Sequence, residues 1–136
     1  GFAEADPTAD VEGIDAANKL SILIALAFGT HIPPGSIPTE GITRVSPEDI
    51  KTASASGKKI KLIGKARMDG GKLEYSVSPV LLDESHPLAG VSNEFNAVYV
   101  TGDMVGELMF YGRGAGPLPT GSAVCGDILS IMKRKF

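Results

Sequence analysis

Two stretches of alternating apolar residues, separated by Asp69-Gly70-Gly71, constrain the fold of this chain more than any other feature. They read KKIKLIGKARM and KLEYSVSPVLL, so that apolar side chains recur at alternate positions on each side of the glycines. A period of two is typical of a strand with one buried face, and the glycines favour a tight turn. The sequence therefore predicts an antiparallel hairpin, and it predicts a second hairpin where NAVYVTG and VGELMFYG flank Asp103.

The first helix is predicted for residues 11–28, with Asp10 placed to cap its first turn and Gly29 placed to end it. Its second half is apolar over most of the helix circumference, which requires burial. The side chains expected to face the core are those of Val11, Ile14, Leu23, Leu26 and Ala27, widened by Ile22 and Ile24.

Two further helices complete the order of elements. Ser46-Pro47-Glu48-Asp49 is a typical helix opening, and Gly57 closes this short helix. The last segment runs from a glycine loop into a helix capped by Thr120 or Ser122. The order helix, helix, two hairpins and helix predicts the α+β class, with an antiparallel or mixed sheet and helices packed on one face.

Composition indicates one globular domain spanning residues 1–136 and excludes several classes of function. Hydrophobic residues make up 43% and charged residues 21% of the chain, as in packed proteins. A net charge of −3 creates no field that would attract nucleic acid. The longest apolar stretch, residues 20–28, is broken by Ser21 and is far shorter than the ~20 residues that span a bilayer. The single cysteine, Cys125, forms no internal disulfide and is expected to be a small buried side chain, so a reducing, cytoplasmic location is expected.

Five carboxylates crowd the beginning of the chain, and Lys19 is the one cation close to them in sequence. They are Glu4, Asp6, Asp10, Glu12 and Asp15. A helix N-terminus favours such anions by ~0.3 to 1 kcal/mol each. Asp15 and Lys19 lie four residues apart on one helix face, where an exposed pair contributes only ~0.3 to 0.5 kcal/mol. The pattern alone therefore favours a purely structural explanation, and only the wider sequence context points to chemistry.

The opening string GFAEADPTADVEGIDAANK resembles the signature of homoserine dehydrogenases. The positions that match the family pattern are Gly1, Phe2, Asp6, Pro7, Asp10, Val11, Gly13, Asp15 and Lys19. Further matching strings follow in order, namely TEGI, IKLIG, HPLAGV, NAVYVTGD and YGRGAGPLPTGSAV, so the resemblance covers essentially the whole chain. Phe2 departs from the tyrosine that is common in the family, which removes any hydroxyl contact made there.

The resemblance implies an oxidoreductase that interconverts L-aspartate 4-semialdehyde and L-homoserine with NAD or NADP, in threonine, methionine and isoleucine biosynthesis. It implies that the Lys19 ammonium stabilises the aldehyde oxygen as that oxygen becomes anionic, and then protonates it. Asp15 would orient Lys19 from one helical turn away. Glu4 would bind the α-ammonium group of the substrate. Asp10 would share that duty or else serve as the helix cap.

A glycine-rich loop precedes the last helix. Gly112, Gly114 and Gly116 resemble a dinucleotide fingerprint in their spacing, but the strand before them belongs to a hairpin rather than to a βαβ unit. A tight turn alone accounts for these glycines. The family resemblance implies in addition that Gly114, Ala115, Gly116 and Thr120 lie on the cofactor side, near the nicotinamide nucleotide. No histidine has a partner at metal-ligand spacing, so no metal site is expected.

The chain has no phosphate-binding βαβ unit in its pattern, and Gly1 follows no initiating methionine. We therefore expect residues 1–136 to be the substrate-binding and dimerising catalytic region of a longer protein whose cofactor domain comes earlier. We expect this region alone to fold without turning over substrate, and the family resemblance implies a homodimer. Two alternatives remain open. One is a non-catalytic module of the same fold that binds an amino acid or drives oligomerisation, and the other is an aldehyde-reducing dehydrogenase with a catalytic cysteine, for which Cys125 is poorly placed.

Overall fold

The computed structural model describes residues 6–134, which fall into two compact units. The first unit, residues 6–89, contains α1 (Thr8–Val11), α2 (Ile14–Phe28), a 3₁₀ turn (Pro34–Ser36), α3 (Pro47–Ala55), β1 (Lys58–Asp69) and β2 (Lys72–Asp83). A second 3₁₀ turn (Pro87–Gly90) leads into the second unit, residues 90–134, which contains β3 (Phe95–Gly102), β4 (Gly106–Arg113) and α4 (Pro117–Arg134). Helices together with antiparallel hairpins confirm the predicted α+β class.

Both predicted hairpins are present. β1 pairs with β2 and β3 pairs with β4, each antiparallel and in register along the full strand length. The first turn is made by Gly70 and Gly71, whose φ values of 54° and 80° lie in the left-handed region that glycine adopts without steric cost. Thr39 adds a single parallel bridge to Val77, so the proline-rich loop before α3 is anchored on β2.

The core of the first unit lies where α2 covers the β1–β2 hairpin. Ala17, Leu20 and Ile24 from α2 pack there with Ile37 and Val77, and all five are buried. The buried hydroxyl of Ser21, on the same helix face, donates to the carbonyl of Ile32 at 2.5 Å. These side chains recur at helical spacing, so one stripe of α2 provides the core.

The sequence predicted the wrong side of this helix for burial, with the exception of Ile24. Ile14, Ile22, Leu23 and Leu26 are exposed by 48%, 62%, 36% and 79%. A helix that is apolar over most of its circumference does not indicate which side a sheet will cover, because several stripes satisfy the same periodicity. The exposed stripe is apolar surface that this chain itself leaves uncovered.

The predicted single helix from residue 11 is in fact two helices, and Asp10 does not cap either of them. α1 contains Asp10, and the chain then turns at Gly13, which has a φ of 78° and precedes α2. Asp6, which precedes α1, contacts Thr8 instead: its Oδ1 accepts from the backbone N–H of Thr8 at 3.0 Å and from the Thr8 hydroxyl at 2.5 Å. These bonds lower the pKa of Asp6. The predicted end of the helix at Gly29 is confirmed.

The short helix α3 begins and ends where the sequence predicted. Ser46 caps it through a reciprocal pair of bonds with Asp49, and Pro47 is its first residue. The Ser46 side chain accepts from the Asp49 backbone N–H at 3.1 Å, and the Asp49 carboxylate accepts from the Ser46 backbone N–H at 2.9 Å. Gly57 follows its last turn with a φ of 65°.

The last helix departs from two predictions. α4 begins at Pro117, so Thr120 lies inside its first turn and neither Thr120 nor Ser122 is the cap. Proline is favoured at the first helical position, where its missing N–H costs no hydrogen bond. Cys125 is exposed rather than buried in this chain. No helix in the described part of the chain is long and apolar enough to cross a membrane.

Candidate active site

Asp15 and Lys19 form a close ion pair on α2. The Lys19 Nζ lies 2.6 Å from Asp15 Oδ2, across one helical turn. The Asp15 side chain is 46% exposed and the Lys19 side chain is 54% exposed. At that exposure the pair stabilises the helix only slightly, by ~0.3 to 0.5 kcal/mol. What the arrangement provides is an oriented ammonium group that a small ligand can reach.

The start of α2 is fixed by residues 38–42, a segment distant from it in sequence. The Ile42 N–H donates to the Val11 carbonyl at 2.7 Å. An ideal β carbon on Gly41 would lie 2.2 Å from that carbonyl oxygen, so only glycine fits. The same segment pairs with β2 on both sides of Thr39, where Val77 donates to Pro38 and accepts from Glu40. The corner that precedes Asp15 is therefore attached to the sheet through backbone bonds.

Of the two carboxylates predicted to bind substrate, the structure describes only that of Asp10. Asp10 is exposed on α1, and its carbonyl accepts from the Gly13 N–H at 3.2 Å. Among residues 6–134, neither α1 nor α2 has a side-chain cap hydrogen bond, so the Asp10 carboxylate caps neither helix. Glu4 lies outside the described residues.

The glycine loop continues from the end of β4 into α4. The Gly114 N–H donates to the Glu94 carbonyl at 2.8 Å, which extends the β3–β4 pairing by one residue. Ala115 is exposed, and Gly116 has a φ of 120°, a conformation that L side chains rarely adopt. The Thr120 N–H then donates to the Gly116 carbonyl at 3.2 Å. Of the four residues predicted to contact a cofactor, Gly114, Ala115 and Gly116 form the loop and Thr120 lies in the first turn of α4 that follows it.

A cluster of aromatic and charged side chains supports the base of this loop. Arg113 is ion-paired with Glu94, and its guanidinium lies 5.1 Å from the centroid of the Phe95 ring. Phe95 stacks on Tyr111 with centroids 4.9 Å apart and planes 2° from parallel. Such cation–π and stacking contacts contribute ~0.5 to 1.5 kcal/mol each. The strand ends that carry the loop are therefore held together by side chains as well as by the backbone ladder.

The contact between Asn96 and the glycine loop is one that sequence reasoning missed. The Asn96 side chain lies over Gly114, and an ideal β carbon on Gly114 would be 1.9 Å from Asn96 Nδ2. The string NAVYVTGD drew attention to Asn96 only as part of a family match. The signal that identifies this contact is the strand register, which sequence periodicity does not provide.

Other features of the described chain do not converge on the Asp15–Lys19 pair. A cavity of about 530 Å³ lies between α3 and the β1–β2 hairpin, but neither residue of the pair lines it. Within residues 6–134, no group of three or more histidine, cysteine, aspartate or glutamate side chains could hold a metal ion.

Solved structures share this fold over nearly the whole chain. The crystal structure of S. aureus homoserine dehydrogenase at pH 6.5 has a TM-score of 0.88 and 52% identity, and the alignment covers 97% of this chain and 33% of that chain. The homoserine dehydrogenase from Thiobacillus denitrificans has a TM-score of 0.89 and 48% identity, covering 94% of this chain and 30% of that chain. The fold thus places the chain among the dehydrogenases.

Sequence relatives specify the family within that class. Homoserine dehydrogenase of Bacillus subtilis strain 168 is 52% identical over 134 residues, and that of Neisseria gonorrhoeae is 50% identical over 133 residues. The family model described as homoserine dehydrogenase matches residues 1–129. The chain therefore belongs to the homoserine dehydrogenase family. The matched region is 98% of this chain but only 31% of either relative.

Proposed function

We propose that this chain is the substrate-binding catalytic region of a homoserine dehydrogenase, which interconverts L-homoserine and L-aspartate 4-semialdehyde. The observation that carries the proposal is the 2.6 Å pair of Lys19 and Asp15, half-exposed on a helix whose other face is buried in a core. The family membership supplies the substrate. No observation favours a non-catalytic module, so that alternative is not proposed.

The ammonium group of Lys19 would handle the oxygen of the reacting carbon. As the aldehyde is reduced, negative charge builds on that oxygen, and a positioned cation stabilises the charge and then donates a proton. In the reverse direction the same nitrogen accepts the proton of the homoserine hydroxyl. Asp15 holds the nitrogen in place through its 2.6 Å bond. Glu4 and Asp10 are our candidates for binding the substrate α-ammonium group, since a carboxylate pairs well with it.

The cofactor of the proposed reaction is NAD or NADP, which supplies or accepts the hydride when bound. The loop of Gly114, Ala115 and Gly116, with Thr120 in the first turn of α4, suits such a ligand, because Ala115 is exposed and a glycine at 116 lets a ligand approach the backbone closely. Within residues 6–134 both sheets are antiparallel hairpins, whereas the phosphate-binding βαβ unit requires parallel strands. We therefore propose that another part of the longer protein holds most of the nucleotide.

The assembly and location of the protein are further parts of the proposal. Within the part of the chain that the structure describes, β4 pairs with β3 on one side only and is exposed at every position, so its other edge offers backbone groups for pairing. We propose that it contributes to a homodimer interface. We also propose a cytoplasmic enzyme of threonine and methionine biosynthesis, in keeping with the proposed substrates.

The test is turnover by the complete enzyme, followed as loss of reduced-cofactor absorbance with aspartate semialdehyde. Lys19→Ala is expected to lower kcat by about 10²- to 10⁴-fold, the usual contribution of a positioned acid or base. Lys51→Ala is the control, since Lys51 is an exposed lysine on α3. This chain alone is expected to show no turnover. Full activity of the Lys19→Ala enzyme would contradict the proposed role of Lys19 and would favour the alternative of a non-catalytic module.

A further inference from the structure

We propose that Asn96 is a positioning residue for the glycine loop, and that it acts through Gly114 on the affinity for the nicotinamide nucleotide. The part that concerns the nucleotide rests on the proposed function. Asn96 lies on β3 opposite Gly112, and Gly114, one residue past the end of β4, is the next position on the same side of the hairpin. Diagonal neighbours of this kind are within reach of each other's side chains.

Asn96 fills the space in which a side chain at position 114 would lie. An ideal β carbon on Gly114 would be 1.9 Å from Asn96 Nδ2 and 2.4 Å from Asn96 Cγ. The φ of Gly114 is not among the positive φ values of the chain. Backbone strain therefore does not require glycine at this position, and the contact with Asn96 does.

The position of this contact makes it suitable for controlling the loop. Gly114 is the last residue held by the strand ladder, through its 2.8 Å bond to Glu94, and the chain turns at Gly116 two residues later. Glycine has more conformational freedom than any other residue, so the path of the chain at Gly114 depends on what packs against it. Asn96 is the side chain that packs there.

The expected consequence is a change in cofactor affinity rather than in the proton transfer at Lys19. Asn96 supports the loop and has no role in handling the substrate oxygen. Removing its side chain should let the backbone at residues 114–116 move away from the geometry that binds the nucleotide. A positioning role of this kind predicts a higher KM for the cofactor, with little change in kcat or in the KM for homoserine.

The experiment uses the complete enzyme and three variants. Asn96→Ala should raise the KM for the nucleotide by about tenfold, since a small misplacement of a binding group is enough for such a loss. Asn96→Leu has the same branched shape without the amide and should restore the KM to within about threefold of wild type, because the role depends on volume. Thr101→Ala, an exposed position at the other end of β3, is the matched control and should change nothing.

Two further measurements separate positioning from general destabilisation. Amide hydrogen exchange at Gly114 should be faster in Asn96→Ala, because its bond to Glu94 opens more often. Gly114→Ala should cost much less cofactor affinity when it is combined with Asn96→Ala than it does alone, because the added methyl group then has room. If the single Gly114→Ala variant does not fold, the comparison of Asn96→Ala with Asn96→Leu still tests the positioning role of Asn96.

Unchanged exchange at Gly114 in Asn96→Ala would overturn the positioning role. An Asn96→Leu variant as impaired as Asn96→Ala would overturn the dependence on volume. Faster exchange with an unchanged cofactor KM would support positioning but would contradict the assignment of this loop to the cofactor. Absence of turnover in the wild-type complete enzyme would contradict the proposed function and leave the exchange test of Asn96 intact.

Discussion

The two parts of the candidate site differ in how much buried core lies beneath them. The Asp15–Lys19 pair lies on α2, whose opposite face is buried among side chains such as Ile24 and Val77 in the first unit. The glycine loop lies between β4 and α4, and in residues 90–133 no side chain is buried. The helix-borne pair therefore lies over a buried core in its own unit, whereas the unit that carries the loop has no buried side chain among residues 90–133.

The difference lies in what covers each hairpin, since their strand patterns are alike. α2 and α3 both pack against β1, whereas β4 exposes large apolar side chains. The exposed large hydrophobic side chains of β4 and α4 are Leu108, Met109, Phe110, Tyr111, Leu118, Val124, Ile128, Leu129, Ile131 and Met132. An uncovered two-stranded hairpin is marginally stable in water, and apolar patches of this kind mark contact surfaces. We infer that the second unit needs further protein contacts, beyond those within residues 90–134, to be stable.

The largest expected effect concerns the core beneath the ion pair. Ile24 is fully buried, so Ile24→Ala should lower the free energy of unfolding of this chain by about 2 to 5 kcal/mol. Leu23→Ala, at the adjacent but 36% exposed position, should cost clearly less. Urea denaturation followed by circular dichroism measures both. Equal losses of unfolding free energy in the two variants would mean that Leu23 and Ile24 are equally covered, which would contradict a core on one side of α2.

A smaller effect should separate the two hairpins. Backbone amides of β1 and β2 should exchange with solvent at least about tenfold more slowly than those of β3 and β4 when this chain is studied alone. Hydrogen exchange read by mass spectrometry measures the rates. In the complete protein the difference should shrink, because the contacts that the second unit needs are then present. Equal protection in the isolated chain would show that the second unit is stable without added contacts.

Local signals predicted much of this fold, and contacts between distant residues account for the failures. The Gly70-Gly71 turn and the capping box of Ser46 and Asp49 are each contained within a few residues, and both hairpins and α3 were predicted. The break at Gly13 was missed, because the segment that fixes it, residues 38–42, is distant in sequence. The buried side of α2 was likewise set by the sheet, which the helix pattern does not describe.

The candidate site divides in the same way. Asp15 and Lys19 are four residues apart on one helix, so periodicity alone brought them together, and the structure confirms that contact. Their chemical roles remain predictions. The contact between Asn96 and Gly114 depends on the register of β3 against β4, and it could not be found before the strands were aligned. Glu4 lies outside the described residues, so its role also stays a prediction.

The smallest expected effect concerns the Ser46 cap of α3 and its contribution to the stability of the first unit. Ser46→Ala should lower the free energy of unfolding by about 1 kcal/mol, the usual cost of losing a helix cap. Ser54→Ala, an exposed position inside α3, is the control.

The bonds from Ser46 lower the pKa of Asp49 below its ordinary value of 3.8. The stabilisation from Asp49 is therefore present above that value and is lost as the pH falls through the lowered pKa, and Asp49→Asn should remove this acid-side loss. An Asp49→Asn chain with the same acid sensitivity as wild type would show that other carboxylates dominate there.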